Sequence, residues 1–413
     1  MKNLKVISNL KLRGGWGVTS NQGINPYATL GVLGVDFYNY GSTPQGNNPG
    51  FLVQTLANKS LTWASTSQFN VGIDFGFFND RLTGSLELYQ QKTKDILLNI
   101  SLPPSNGAGS TIVNAGKTEG KGIEVTLSGT IIETSSSFKW AADLNFSVNR
   151  EKIIALQDPT LKEDIGNGWF VGQPLSVIYD GVKLGIWQVS DSVQAAVYGC
   201  KPGQIKLQDL NGDNVLNGSD RKVIGNFEPT WIGGMTNKFY FKGIDLTMVV
   251  YARMGQTVVV PYFMTDGGAA GYPFFNNGRV NSLKRDYWTR NNPTNAFPRP
   301  DAGSDNVKYS TTLGYLDGSF VKARSLSLGY SLPANLLDHV KISSLRIYVT
   351  CLNPFMIYAP FVKNGYGLDP EGNGYGGVSG STLGGTPVPG RAITVNLNAP
   401  PTRQFQFGLN MNF

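Results

Sequence analysis

Oxygen-bearing side chains recur at regular intervals in Asp209-Leu210-Asn211-Gly212-Asp213-Asn214-Val215-Leu216-Asn217-Gly218-Ser219-Asp220, the part of this sequence best equipped for chemistry. Counted from Asp209, the side chains of Asp209, Asn211, Asp213, Asn217 and Asp220 fall at loop positions 1, 3, 5, 9 and 12. The carbonyl of Val215 is available at position 7, as in a calcium loop of the EF-hand type. Hard oxygen donors at this spacing suit calcium or a similar cation. Position 6 is Asn214 where glycine is usual, but asparagine tolerates the left-handed backbone needed there. Asp220 is one methylene shorter than the usual glutamate, which makes bidentate ligation harder, and no helical pattern flanks the segment. A metal-free turn held by its own Asn and Asp side chains is the alternative reading. Three carboxylates in so short a span repel one another unless a cation lies between them, so calcium as a structural clasp is the expectation.

Other chemistry finds little support. The single histidine, His339, removes histidine-based triads and multi-histidine metal sites, and two cysteines, Cys200 and Cys351, match neither a zinc site nor a disulfide framework. Ala115-Gly116-Lys117-Thr118 ends like a phosphate loop, but Thr111 stands where the first glycine belongs, and a strand rather than a helix follows. Gly377-Val378-Ser379-Gly380 has no histidine partner for a nucleophilic serine. No pair of carboxylates stands out as an acid and base, so the sequence does not read as an enzyme. The formal net charge is +7, yet the 35 Lys and Arg are scattered without a recognition motif, which argues against nucleic acid as a partner.

The elements that must position these residues are strands. Gly accounts for 51 residues and charged residues for only 15%, against about 25% in soluble domains, while aromatics reach 11%. Period-2 alternation dominates. Phe69, Val71, Ile73, Phe75 and Phe77 alternate with Asn70, Gly72, Asp74 and Gly76, and the same pattern recurs in Trp140, Ala142, Leu144, Phe146 and Val148 and in Ile244, Leu246, Met248 and Val250. It predicts ten strands, at 3–17, 67–78, 81–98, 121–132, 138–151, 230–241, 243–256, 318–331, 343–352 and 403–413. Most are long enough to cross a bilayer at a tilt of about 45°. The connections between them alternate between long and short without exception, as extracellular loops and periplasmic turns do in an outer-membrane barrel. The expected fold class is all-β: an antiparallel transmembrane β-barrel with long extracellular loops. It divides into barrel strands and loops over 1–151, a long extracellular loop region carrying the calcium-type segment over 152–229, and further barrel strands over 230–413.

No run of 18 apolar residues exists, so no transmembrane helix is predicted. Lys5, Asn9, Lys11 and Arg13 interrupt any signal-peptide core after Met1, so the true start of the protein is expected upstream. In the last strand Phe405, Phe407, Leu409, Met411 and Phe413 share one face. A chain closing on an aromatic such as Phe413 resembles the signal read by the outer-membrane assembly machinery. In water, such an apolar edge would be an aggregation hazard. Trp63, Trp140 and Trp231 lie near strand ends or on apolar faces, where an interfacial girdle explains them. Among loop aromatics, Trp169, Trp187, Tyr198, Tyr272, Phe274, Phe275 and Tyr375 fit loop packing or contact with a partner better than substrate stacking.

Several segments together resemble the SusC/RagA type of TonB-dependent outer-membrane transporter. These are Leu10-Lys11-Leu12-Arg13-Gly14-Gly15-Trp16-Gly17-Val18-Thr19, Gln68-Phe69-Asn70-Val71-Gly72-Ile73-Asp74-Phe75-Gly76, Asn114-Ala115-Gly116-Lys117 and Asp286-Tyr287-Trp288-Thr289. Ser327-Leu328-Gly329-Tyr330-Ser331-Leu332-Pro333, Asp369-Pro370-Glu371 and Phe407-Gly408-Leu409-Asn410 complete the set, in the family's order and over essentially the whole sequence. The resemblance implies the C-terminal half of such a protein, supplying about ten strands of a barrel of roughly 22. It also implies an N-terminal plug and TonB-contacting segment outside this sequence, oligosaccharide or peptide import, and a SusD-type surface lipoprotein over the extracellular mouth. Lipid of the outer membrane surrounds such a barrel. A passive porin, a structural outer-membrane barrel and a secreted glycan-binding β-sandwich are the rival readings.

Overall fold

The computed structural model describes residues 6–24, 26–39, 47–134, 138–264, 285–299, 308–337, 342–371, 374–378, 388–395 and 401–412. Ten long strands form a single antiparallel sheet in which each pairs with the next of the set. They are β1 (Ile7–Asn21), β2 (Ala64–Phe77), β3 (Leu82–Lys94), β4 (Lys117–Glu133), β5 (Phe138–Ala155), β6 (Trp231–Phe241), β7 (Ile244–Met254), β8 (Phe320–Ser331), β9 (Ser344–Tyr358) and β10 (Gln404–Asn412). All ten predicted strands are present, with ends that differ for identifiable reasons. The span 81–98 divides at Asp95, whose φ of 58° breaks the ladder, and Leu97–Ser101 is a separate strand. The ninth strand does not stop at 352. It passes Asn353 (φ 49°) and Pro354 through a register shift opposite Arg324, because a proline survives inside a sheet only at such irregularities.

Register sorts the residues onto two faces. Leu12, Ile73, Leu86, Val125, Phe146, Gly233, Ala252 and Val321 form one continuous cross-strand row. One residue along, Arg13, Gly72, Glu87, Glu124, Ser147, Ile232, Arg253 and Phe320 form a row on the opposite face. The apolar rows lie open: Leu12 and Trp16 are 72% exposed and Phe407 is 84% exposed. So large a bare apolar surface requires lipid or another apolar partner rather than water. Trp140 stacks on Phe239 at 5.7 Å, and Trp231 lies 5.7 Å from Phe146, placing both tryptophans among the apolar rows.

The connections 22–63, 95–116, 156–230, 255–319 and 359–403 leave one end of the sheet, and 78–81, 134–137, 242–243 and 332–343 leave the other. Two of the short turns use left-handed backbone. Lys242 and Gly243, at φ 47° and 86°, close the β6–β7 hairpin with two residues where the sequence reading allowed one. Phe78, Asn79 and Asp80 all have positive φ between the paired Phe77 and Leu82.

The long connections carry structure that alternation alone did not reveal. Val32–Asn39, Asn47–Leu56, Leu97–Ser101 and Ser110–Asn114 form one small sheet. In another, Thr257–Val259 pairs with Tyr315–Asp317 and with Val388–Thr394. Around Val258, Val259 and Val260, which have no exposed surface, pack Ile178, Ile186, Ile205, Phe227, Leu313, Phe361 and Ile393. Residues from 156–230, 255–319 and 359–403 thus share one core at the loop end of the sheet. His339, Tyr272, Phe274, Phe275 and Phe413 lie outside the described residues, Phe413 with its reading as an assembly signal.

Candidate functional site

The polar face of the sheet is braced by side chains that reach over glycines to a strand two places away. Arg13 on β1 grips Asp74 on β2 with Nε at 2.8 Å and Nη2 at 2.7 Å, and its Nη1 crosses to Glu87 on β3 at 2.5 Å. Gly72 makes this crossing possible, because a Cβ there would lie 3.1–3.4 Å from the guanidinium. Arg346 on β9 repeats the device, crossing Gly329 on β8 to hold Asp245 on β7 at 2.5 and 2.8 Å. A Cβ on Gly329 would come within 2.4 Å of that guanidinium. Between these two braces, Asp143 on β5 accepts from Lys238 on β6 at 2.8 Å and from Ser128 on β4. Bidentate arginine pairs of this kind are geometrically specific, and a lining of fixed charges suits a water-filled passage.

A second set of charges ties a loop to this wall. Lys322 on β8 is 2% exposed and sits between Asp369 at 3.1 Å and Glu371. Glu371 also takes Arg324 at 2.5 Å. An ammonium this buried needs such anionic partners, since a lone buried charge is costly. Asp369-Pro370-Glu371 had attracted notice in the sequence only as part of a resemblance. Its role as a clamp was illegible there, because Lys322 lies 47 and 49 residues away in the chain.

Within the shared loop core, Asp180 is fully buried and accepts from Thr311 at 2.6 Å and Tyr315 at 2.9 Å, which joins two long connections. Lys183 donates to the Ala296 carbonyl at 2.7 Å, and burial pushes its ammonium down to about 8. Trp187 is buried, with Tyr198 stacked at 5.8 Å and the Lys206 ammonium 4.3 Å from its ring centre. These two aromatics pack the loop, as the sequence reading favoured.

The 209–220 segment forms a compact turn fed by its own amides. Asp209 accepts from Gly212 at 2.7 Å, Asn214 at 2.9 Å and the Tyr198 hydroxyl at 3.3 Å. Burial opposes ionisation of Asp209, but the amides of Asn214 and Gly212 outweigh it and hold the carboxyl below its usual range. Asp213 accepts from Val215 at 2.7 Å and Asn211 at 2.9 Å. Asp220, fully buried, accepts from Leu210 at 2.8 Å and Asn217 at 2.9 Å. Asn217 in turn caps Ser219, and its amide reaches the Val215 carbonyl at 3.3 Å. Asn214 has a φ of 62°, the left-handed conformation its position asked for. Among the described residues, no three His, Cys, Asp or Glu side chains are grouped so as to hold a metal.

Residues 3–188 match the family model described as TonB dependent receptor-like, beta-barrel. TonB-dependent receptor P26 of Formosa agariphila is 30% identical over 96% of this chain and 40% of its own length. TonB-dependent receptor SusC of Bacteroides thetaiotaomicron is 27% identical over 90% of this chain and 36% of its own length. The chain therefore spans about two-fifths of the length of the curated relatives it matches. A solved structure of the RagAB peptide transporter is similar in fold, with a TM-score of 0.73 over 100% of this chain and 42% of that one at 22% identity.

Two outcomes follow from this geometry. Gly329→Val in the full-length protein should displace Arg346 from Asp245 and cost roughly 1–3 kcal/mol by overpacking, read as a lowered unfolding midpoint in detergent. An unchanged midpoint would show that the brace is dispensable. For Lys183, the folded ammonium loses its proton near 8, below its unfolded value, so between the two the unfolded state binds more protons and stability rises with pH. Hydrogen exchange in 177–207 should therefore slow as pH is raised above about 8, once corrected for the intrinsic rate, and Lys183→Met should remove that dependence. A dependence unchanged in the variant would assign it elsewhere.

Proposed function

We propose, on the premise that this chain belongs to the TonB-dependent receptor β-barrels, that it builds part of the wall and several loops of an energised importer of oligosaccharides or peptides. The chain is an outer-membrane β-barrel segment in a family of receptors and transporters rather than enzymes. The observation that carries the proposal is the division of the sheet. One face is bare and apolar, and the other carries cross-strand ion pairs beneath a packed loop core. A wall of this kind separates lipid from a wet passage, and its packed loops limit what enters.

Under this proposal the long connections face the outside. Their shared core offers an ordered surface on which a SusD-type lipoprotein would seat, and TonB would supply the energy for uptake. The protein would move its cargo without altering it chemically. The similarity to the TonB-dependent receptor SusC supports energised import, and the RagAB neighbour is a peptide transporter. Removing the gene for the whole protein should abolish uptake of its cargo oligomer, and wild-type uptake should stop when TonB is absent. Uptake that persists without TonB would identify a passive pore.

We also propose that residues 209–220 hold a calcium ion as a structural clasp for the 156–230 connection. Each carboxylate oxygen that takes an amide keeps a second lone pair for a cation. Because no three acidic side chains are grouped, the ion would draw Asp209, Asp213 and Asp220 together, with Asn211, Asn217 and the Val215 carbonyl completing the set. A modest dissociation constant of roughly 10⁻⁴–10⁻³ M is expected of an extracellular module. Calcium should protect this connection from protease in the wild type and give no protection in Asp209→Ala with Asp213→Ala. Equal protection in both proteins, or none in either, would contradict the clasp.

A further inference from the structure

Cations that look scattered along the sequence gather in the fold, on the apolar side of the sheet and toward its loop end. Across β3, β4 and β5 the last apolar row is Leu88–Ile123–Val148. The next row on the same face is Gln90–Lys121–Arg150, the one after it is Lys92–Glu119–Lys152, and beyond these Lys94 faces Lys117. Lys92, Lys94, Lys117, Lys121, Arg150 and Lys152 are all exposed. The carboxylate among them, Glu119, is 8% exposed and already held by Gln90, by Lys152 at 3.3 Å and by Lys121 at 3.6 Å. Lys94 has a loose contact with Asp95 at 3.9 Å, and Arg150 donates to the Asn149 and Thr230 carbonyls and lies near the half-buried Glu228. Six cations thus outnumber the three carboxylates near them, Glu119, Asp95 and Glu228.

Their placement is asymmetric. At the opposite end of the same three strands this face carries Leu82, Ile132, Trp140 and Phe138, with no cation among them. A groove of about 570 Å³ opens beside the cations, and Lys92, Lys94, Lys117, the already paired Glu119, Val18 and Ser65 are among the residues lining it. Two residues of strand rise about 6.8 Å, and a strand tilted by about 45° converts that to roughly 5 Å of depth. The first cationic row therefore lies about 5 Å beyond the apolar band, within a bilayer's headgroup layer, and the second about 10 Å beyond it, at that layer's outer edge.

We propose that this cationic ladder on the outward face binds a phosphate-bearing headgroup of an outer-leaflet glycolipid. The inference rests on the reading of the chain as an outer-membrane wall, for only then is lipid the neighbour of this face. Side chains opposite one another on adjacent strands stand about 5 Å apart at Cβ, so two or three ammonium groups can close on one phosphate. The apolar rows directly below receive the acyl chains of the same molecule. Inorganic phosphate shares the headgroup's charge but has no acyl chain, which makes it the discriminating competitor.

The test uses the full-length transporter in nanodiscs of a zwitterionic phospholipid, to which a bis-phosphorylated glucosamine glycolipid or its dephosphorylated form is added. Native mass spectrometry counts the retained glycolipid. The wild type should retain the phosphorylated form selectively, and raised salt should weaken retention. Lys92→Gln with Lys117→Gln and Lys121→Gln leaves Lys152 to satisfy Glu119. That variant should lose affinity by about fivefold for each cation removed, while the corresponding arginine variant retains it and Lys242→Gln, in the opposite turn, changes nothing. Heat-modifiable mobility on gels verifies that each variant remains folded. Equal retention of the dephosphorylated glycolipid, an unaffected glutamine variant, or displacement by inorganic phosphate at matched concentration would overturn the proposal. A protein that fails to enter nanodiscs at all would instead refute the outer-membrane reading beneath it.

Discussion

The backbone hydrogen bond governs this structure. In hydrocarbon no water can satisfy an amide or carbonyl, so each spanning strand must find its partners in its neighbours. Ten strands here do so in unbroken succession, from β1 to β10. Pairing of that kind fixes a period of two, and a slip of one residue would exchange the two faces of a strand. The register shifts opposite Arg324 and near Thr130 absorb an extra residue locally, so that the apolar rows stay on one side.

Once the faces are fixed, the polar one can be built for function. Its charges do not stand singly. Arg13 and Arg346 each lie flat across a glycine and bond to carboxylates on neighbouring strands, so the absence of a side chain at Gly72 and Gly329 is as necessary as the presence of the charge. Lys322 carries the same logic outward, joining the wall to Asp369 and Glu371 in the last long connection. That connection shares its apolar core with two others around Val258–Val260. Wall and loops are therefore mechanically continuous: disturbing the Lys322 clamp would be felt in the core that orders the loop surface.

The strands were legible because lipid on one side and water on the other impose a pattern that any single strand displays. Phe69 to Phe77 shows it without reference to the rest of the chain. Ends were less legible where the pattern gave no sign, as at Asp95, or where the alternation is interrupted by a register shift, as at Asn353 and Pro354. The loop core was invisible because its parts, such as Ile178, Val259 and Ile393, meet only through distant segments with no shared periodicity. The 209–220 segment was recognisable as a turn of oxygen donors, and Asn214 takes the backbone conformation expected of it. The sequence did not disclose that its carboxylates would be engaged so fully by backbone amides. Nor could the cationic ladder be read from composition, since Lys92, Lys121 and Lys152 become neighbours only through register.

The two-faced wall is tested most directly along β3. Single cysteines would be placed at Leu82, Leu86 and Leu88 on one face and at Thr83, Ser85 and Gln91 on the other. The full-length protein would sit in its native outer membrane, with Cys200 and Cys351 replaced by alanine, and be exposed to a charged, water-soluble thiol reagent. The expected result is reaction at 83, 85 and 91 and protection at 82, 86 and 88, which repeats the period of the strand. Uniform labelling, or ready reaction at 86 and 88, would show that this face does not meet lipid and would contradict the transmembrane wall.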